Sequence, residues 1–428
     1  MLNYYLKLSW HNFKRARVLY ILVTLTLAIG VGLLCANLAL VNTMASDPLP
    51  QKSDKVFHIS MNTWPEDDPY EQPFHLTRYR DGRHITESQI PTHTAVFYET
   101  SSYTRATDSK SIERFQSTIR ATTPGFFALT DAPFAYGAGF TKDTGFEVVI
   151  GHELNLKLFD GKDSVGKSIE LSGKSLQVVG VLQPWFLRPL FYHASEGRAF
   201  NATDDIFMPL ETAIDMNLSV SGRSSATERV DGTADSRQKQ SFYLHAWVQL
   251  DTPEQQQAFQ AYLDNYGQSL KENGEHPNEV INHLNDVNAW LTKQDVVDDK
   301  VLAFTIATAL FLCVCIFNAS SLLLSRFHAA KFEIGLRRAI GASKRQMFQQ
   351  GLVESLTLGM VSGLLALLLS WLFLKVSVSF LPHLANIAIL EPSLLMLGVL
   401  LAMFTSVASS MYPLFRANRY TISAELKS

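Results

Sequence analysis

The chain has 428 residues, a formal charge of −3 and a mean hydropathy near zero. These averages hide two kinds of sequence, since long charge-free apolar runs alternate with ordinary mixed sequence. Its three cysteines, Cys35, Cys313 and Cys315, all lie in apolar runs, which excludes a disulfide-stapled scaffold for the polar part and leaves that part to its own hydrophobic core; roughly 255 residues suffice for one.

No charged residue occurs from Val18 to Ser46, from Val301 to Ser325, from Ser355 to Leu374 or from Pro392 to Phe415. A bilayer core of about 30 Å needs about 20 apolar helical residues. The fold class expected is therefore a membrane protein with four transmembrane α-helices, at 18–43, 299–325, 353–380 and 393–415, and a large α+β extracytoplasmic domain inserted between the first and second. The first run is too long for a signal peptide and lacks a small-residue cleavage site. Cys313 and Cys315, two residues apart, face different sides of their helix as ordinary packing residues. Asn37 and Asn318 are expected to hydrogen-bond between helices.

The short flanks set the orientation. The lead-in, 1–17, carries Lys7, Lys14, Arg15 and Arg17 and no acid. The link 326–352 holds Arg326, Lys331, Arg337, Arg338, Lys344 and Arg345, and Glu333 is the acid among them. The tail, 416–428, is basic, whereas the short loop 381–392 has no Lys or Arg. The positive-inside rule places both termini and the link in the cytoplasm, and residues 44–298 outside.

In the outer domain, VFHIS (56–60), SIERFQSTIRA (111–121), FEVVI (146–150), SIEL (168–171), LQVVGVL (176–182) and FYLHAWVQL (242–250) read as strands from alternation and β-branched content. His152–Phe159 and Pro253–Asn273 read as helices, the second capped by Thr252 with Phe259, Leu263 and Tyr266 on one face. Residues 219–241 have too few large apolar side chains to offset ordering and read as a mobile loop.

GKDSVGKS, Gly161–Ser168, fits the phosphate-loop pattern. Such a cradle needs a buried strand before it and a helix after it. Here an amphipathic helix precedes and a hairpin-like pair follows, so the glycines serve turns and Lys167 is solvated. The nine outer-domain histidines show no His-Glu-x-x-His spacing, and there is no Gly-x-Ser-x-Gly elbow. No catalytic residue, cofactor or metal ligand is expected on this chain, and no nucleic-acid partner.

In the link, Gly341 can terminate a helix running out of the second span, and Ser343 with Gln346 has capping-box spacing for the helix into the third. The residues alone allow either a coupling surface or a well-capped positive-inside loop.

Two stretches carry a family resemblance. TPGFFALTDAPFAYGAGF (123–140) and FEVVIGHELNLKLFDGKDSVGKSIELSGKSLQVVGVL (146–182) resemble the periplasmic core domain of macrolide-exporter-like, MacB/FtsX-type, permeases. Thr123, Pro124, Phe127, Leu158, Phe159, Asp163, Gly166, Lys167, Val179, Gly180 and Val181 match its pattern, with Ser164 where a proline is usual. FEIGLRRAIGASKRQMFQQGLVES (332–355) is similar to the signature before that family's third span, on Glu333, Ile334, Gly335, Arg337, Ala339, Gly341 and Ala342. The N-terminal run is similar as well; the tail lacks the usual proline after Ile422.

The resemblance implies the permease subunit of a mechanotransmission ABC system in a bacterial inner membrane. A separate cytoplasmic ATPase binds the ATP, and a second permease chain, identical or paralogous, completes the complex. A periplasmic adaptor and outer-membrane duct are further expected partners, for efflux of a drug, peptide or lipid-like substrate. The ATPase-coupling residues implied are Glu333, Gly335, Arg337, Arg338, Gly341 and Ala342. The same architecture also serves a non-transporting coupler that activates an outside partner such as a cell-wall hydrolase. A transmembrane sensor is a third reading, disfavoured by four spans without a cytoplasmic effector domain.

Overall fold

The computed structural model describes residues 2–67, 73–107, 113–380 and 390–418. Most of the loop expected at 381–392 and of the tail expected at 416–428 lies outside them, as does the start of the strand expected at 111–121. The chain divides into two compact units: Ser46–Val296, and Met1–Ala45 together with Val297–Ser428.

The second of these is helical. Among the described residues, four helices are long and apolar enough to cross a membrane: Arg17–Met44, Asp299–Ala329, Lys344–Phe380 and Pro392–Asn418. They pack through small residues. A Cβ on Gly359 would stand 2.6 Å from Met403 Cα, so the third and fourth spans touch backbone to backbone there, the close approach that helix packing in lipid favours. Ser370 Oγ donates to Gly32 O at 3.0 Å across the third and first spans. One buried cluster joins Val31, Cys35, Leu312, Ala366 and Ala402, and another joins Tyr20, Leu27, Ala319, Leu323 and Leu358. Phe304, Leu310 and Phe317 of the second span face outward and are more than half exposed, an apolar surface suited to lipid. Cys315 is buried and Cys313 exposed, on different sides as expected. Asn37 differs from expectation: its amide donates to Leu33 O of its own helix at 3.1 Å, a back-bond to the carbonyl one turn earlier.

Residues Ser46–Val296 build a mixed sheet. Its central path runs Asn282–Asp286, Val56–Met61, Ser241–Gln249, His93–Ala106, Phe115–Thr122 and Ile206–Pro209, then Glu147–Ile150, Lys174–Leu182 and Phe134–Gly137. Alternation along the strands separates two faces. Ile59, Val96, Ile119, Ala121, Ala246 and Val248 join an aliphatic core that takes in Phe259 and Leu263 of the helix Pro253–Glu272. That helix starts at a capping box of Thr252 with Gln255. The intervening positions carry a different chemistry: His58 lies opposite Trp247, His245 opposite Phe97, and Glu99 opposite Arg120. Here the cover is the turn Phe191–Glu196 and the short helix Val287–Lys293, whose Trp290 stacks on His58 at 3.6 Å and donates to Phe191 O at 3.0 Å.

Several elements lay beyond the sequence reading: the 14-residue strand His93–Ala106, the helix Tyr79–Glu87, and the strand and helix over 282–293. The segment 219–241, expected as a mobile loop, has little regular structure yet is fastened by polar contacts. Ser225 and Ala226 pair with Phe242 and Ser241, and Arg237 reaches Glu211 at 2.6 Å and Asp215 at 2.7 Å. Ionic and backbone bonds do there what apolar burial does elsewhere.

Candidate functional site

The link between the second and third spans is built from two short-range decisions. The second span stops at Ala329 and a separate helix, Lys331–Ala339, follows, so the link is not the single helix running to Gly341 that the sequence suggested. Ala330 serves as C-cap of one helix and N-cap of the next without any side-chain cap. Gly341 then takes φ +112°, in the left-handed region that favours glycine. A Cβ there would meet nothing within 4 Å, so the requirement is one of backbone conformation rather than of space. Ser343 and Gln346 close a reciprocal capping box, with Ser343 N donating to Gln346 Oε1 at 2.9 Å and Gln346 N to Ser343 Oγ at 3.2 Å.

The helix Lys331–Ala339 has two faces. On one, Glu333 and Arg337 bond each other one turn apart; Arg15 NH1 donates to Glu333 Oε2 at 2.8 Å and Arg337 NH1 to Gln350 Oε1 at 3.2 Å. These charges tie the elbow to the lead-in helix Leu2–Arg15 and to the third span. On the other face Phe332, Leu336 and the following Ile340 are 60%, 43% and 79% exposed, a ridge of apolar side chains spaced four residues apart. Of the residues named from sequence, Glu333, Arg337 and the half-buried Arg338 sit on this helix, Gly335 is buried, and Gly341 and Ala342 form the turn. Phe332, Leu336 and Ile340 were missed, although their i, i+4, i+8 spacing was a readable signal.

A second missed group lies at the base of the elbow. Glu354 of the third span, 5% exposed, accepts from Asn12 Nδ2 at 3.0 Å, from Tyr20 OH and from Arg326 NH1. The Arg326 guanidinium also lies 4.9 Å from the Tyr20 ring centre. One buried carboxylate thus gathers the lead-in helix and the first, second and third spans. Ser9 Oγ and Thr357 Oγ1 add a further bond at 2.9 Å.

In the sheet unit, Gly161–Ser168 is a turn between the helix His152–Phe159 and the strand Ser168–Leu171, with Gly161 and Gly166 at positive φ. Lys167 is exposed, its ammonium 4.9 Å from the Phe159 ring centre. Nothing in this arrangement aims backbone N–H groups at a phosphate.

The buried face of the sheet holds an ionic cluster. Arg120 is 1% exposed, with its Nε 3.0 Å from Asp204 Oδ2 and its NH2 3.8 Å from Glu99 Oε2. His193 stands between the carboxylates, 3.2 Å from Glu99 Oε2 and 3.3 Å from Asp204 Oδ2. Burial and Arg120 oppose charge on this imidazole, but Asp204 and the hydrogen bonds to both acids outweigh them and raise its pKa. Burial opposes charge on Asp204 too, yet Arg120 and His193 hold that carboxyl well below its ordinary range. Glu99, His193 and Asp204 bring donor atoms within 4.8 Å of one another, as metal ligands would. The cations beside them are the Arg120 guanidinium and, on Glu99 Oε1, that of Arg198.

Residues 20–266 match the model of the MacB-like periplasmic core domain, and residues 305–422 that of the FtsX-like permease C-terminal region. The chain belongs to the MacB/FtsX-type ABC transporter permease family. It is 23% identical over 262 residues to the probable syringafactin export ATP-binding/permease protein SyfD of Pseudomonas syringae pv. syringae (strain B728a), a match covering 60% of this chain and 35% of that protein. The chain therefore spans about a third of the length of this curated relative. Three solved structures are similar at low identity. The extracellular domain of the noncanonic ABC-type transporter YknZ from Gram-positive bacteria has TM-score 0.33 and 13% identity, covering 54% of this chain and 98% of that one. The periplasmic region of MacB from Actinobacillus actinomycetemcomitans has TM-score 0.37 and 10% identity, covering 58% and 96%. A domain of a putative permease from Porphyromonas gingivalis has TM-score 0.35 and 13% identity, covering 55% and 91%.

Proposed function

We propose that this MacB/FtsX-type permease is the membrane subunit of a mechanotransmission exporter, driven by an ATPase on a separate chain. Both termini and the elbow 326–352 face the cytoplasm, and Ser46–Val296 is the extracytoplasmic part. The observation that carries this reading is the two-faced helix Lys331–Ala339: Glu333 and Arg337 are bonded to each other and to neighbouring helices, and Phe332, Leu336 and Ile340 are left outward where a partner can cover them. On this reading the partner surface is the apolar ridge. Glu333 and Arg337 act as ties that pass its displacement to the lead-in helix and third span, Gly341 and Ala342 set the turn, and Gly335 and Arg338 sit on the helix away from the ridge. Two permease chains assemble with the ATPase, and a periplasmic adaptor and duct complete the export path for a drug, peptide or lipid-like substrate. A relative named for syringafactin export supports an export role over a purely signalling one.

The test is purification from native membranes with identification of co-purifying chains by mass spectrometry, for the natural protein and for Ile340→Asp. An ATPase subunit should accompany the first and be lost from the second, while membrane abundance is unchanged. Equal recovery of the ATPase with both would remove the ridge from the interface. Cysteines at Ser225 and Ser343 should label with an impermeant reagent from outside and inside respectively; the reverse pattern would overturn the orientation.

A further inference from the structure

The depth of the lead-in helix Leu2–Arg15 is fixed at two points. Ser9 Oγ meets Thr357 Oγ1 at 2.9 Å and Asn12 Nδ2 donates to Glu354 Oε2 at 3.0 Å, which lays the helix against the third span. Thr357 lies just inside the charge-free run Ser355–Leu374, so the contact is at the level where that span enters the apolar layer. At the other point a single residue, Ala16, separates the helix from the first span, Arg17–Met44. The helix is thus held at the boundary between membrane and water.

Its circumference divides by chemistry. Arg15 reaches Glu333 of the elbow at 2.8 Å. Trp10 lies five residues earlier, about 140° round the helix from Arg15 at 3.6 residues per turn, and is 62% exposed. Leu6, one turn before it, is 40% exposed, and the Phe13 ring, one turn after it, stacks on Trp10 with centres 5.8 Å apart. Lys7 and Lys14 border this apolar strip and are exposed. The Lys14 ammonium lies 5.5 Å from the Trp10 ring centre, within reach of a cation–π contact. Residues 1–17 contain no acid, and among the described residues neither ammonium has a carboxylate partner.

We propose that Leu6, Lys7, Trp10 and Lys14 form a binding surface for anionic phospholipid. The apolar strip enters the outermost acyl carbons, as the apolar face of an interfacial helix does, and the indole sits at headgroup level where its ring and N–H are both accommodated. The two ammonium groups take headgroup phosphates; seven residues put them about 10 Å apart along the axis, so each has its own. Charge decides between anionic and neutral lipid. Unopposed cations at this depth gain from a negative surface, by about fivefold in affinity for each lysine, whereas a neutral headgroup leaves them no net partner. The surface belongs to a different helix from the ridge Phe332, Leu336 and Ile340, and its test needs neither the ATPase nor export.

The experiment reconstitutes the full-length chain in nanodiscs of phosphatidylcholine alone or mixed equally with phosphatidylglycerol, and counts the lipids retained on release by native mass spectrometry. The natural protein should retain phosphatidylglycerol in preference to phosphatidylcholine. Lys7→Gln with Lys14→Gln should weaken that preference about twentyfold, the product of two such lysines, and Lys157→Gln, at an exposed lysine of the sheet unit, should not. A photo-cross-linking residue in place of Trp10 should give phospholipid adducts in native membranes, a reading independent of the lysine variants. Equal retention of the two lipids by the natural protein, an unaltered preference in the double variant, or cross-links from position 10 to a protein chain instead of lipid would each overturn the proposal.

Discussion

Asn12 Nδ2 donates a hydrogen bond of 3.0 Å to Glu354 Oε2, tying the lead-in helix to the start of the third span. The same carboxylate takes Tyr20 and Arg326, so it is fully engaged and its partners depend on it. Glu354→Gln should leave the Arg326 guanidinium, whose side chain is 13% exposed, with a neutral partner at a buried position. Breaking one side of a buried pair costs about 3 kcal/mol. Thermal unfolding in detergent should show a clear loss, and Glu354→Leu with Arg326→Leu should recover part of it. A single variant as stable as the natural protein would remove the hub from the packing account.

Gly341 offers a backbone test free of packing effects. Its φ of +112° in open space means that Gly341→Val adds strain without a clash, roughly 1–2 kcal/mol. Hydrogen exchange should quicken in the first turn after Ser343, while the spans stay protected. Unchanged exchange there would mean the turn adapts at no cost.

The phosphate-loop look-alike predicts a null result with content. Lys167→Ala should change stability by less than about 0.5 kcal/mol, as for a surface position. Calorimetry of the purified chain should detect no ATP binding before or after the change. Saturable ATP binding abolished by Lys167→Ala would reverse the assignment of Gly161–Ser168 as a turn.

Arg120 is predicted to be indispensable to the sheet unit. Arg120→Met takes its guanidinium from the buried Asp204, which keeps His193, while Glu99 keeps Arg198; breaking one side of a buried pair costs about 3 kcal/mol, and the protein should be cleaved readily by protease over residues 186–206. Asp204→Asn should be milder. The sign of the pH effect follows from Asp204: its folded pKa lies below the ordinary 3.8, so its stabilisation is fully present above that value and is lost as pH falls below it. A melting temperature of Asp204→Asn equal to that of the natural protein at pH 7 would show that this pair contributes nothing.

The four spans were legible because charge-free runs of that length have few other uses. Strands such as Lys174–Leu182 were legible because LQVVGVL is β-branched and bounded by a turn. His93–Ala106 was hidden because both of its faces are buried in part by polar side chains: Glu99, Thr100 and Thr104 are 3%, 1% and 1% exposed, which erases the apolar alternation a strand usually shows. Tyr79–Glu87 was hidden by its own polarity; it buries Asp81, 0% exposed, against the Arg78 guanidinium at 2.8 Å. At the elbow the caps were readable at Gly341, Ser343 and Gln346. What local sequence could not show was that Glu333 and Arg337 turn inward, because their partners Arg15 and Gln350 come from other helices.

Ala330 joins two helices with one residue and no side-chain bond, which gives the elbow the mechanics of a crank. The nine residues of Lys331–Ala339 make an arm about 13 Å long at 1.5 Å per residue. A turn of about 10° about Ala330 therefore carries Ile340 by about 2 Å, a displacement comparable to the helix shifts that switch packed interfaces. Because Arg15 and Gln350 grip the arm part-way along, that swing cannot be absorbed at the tip. On the proposed function, a push on Ile340 would pull on the N-terminal helix and on the third span at once.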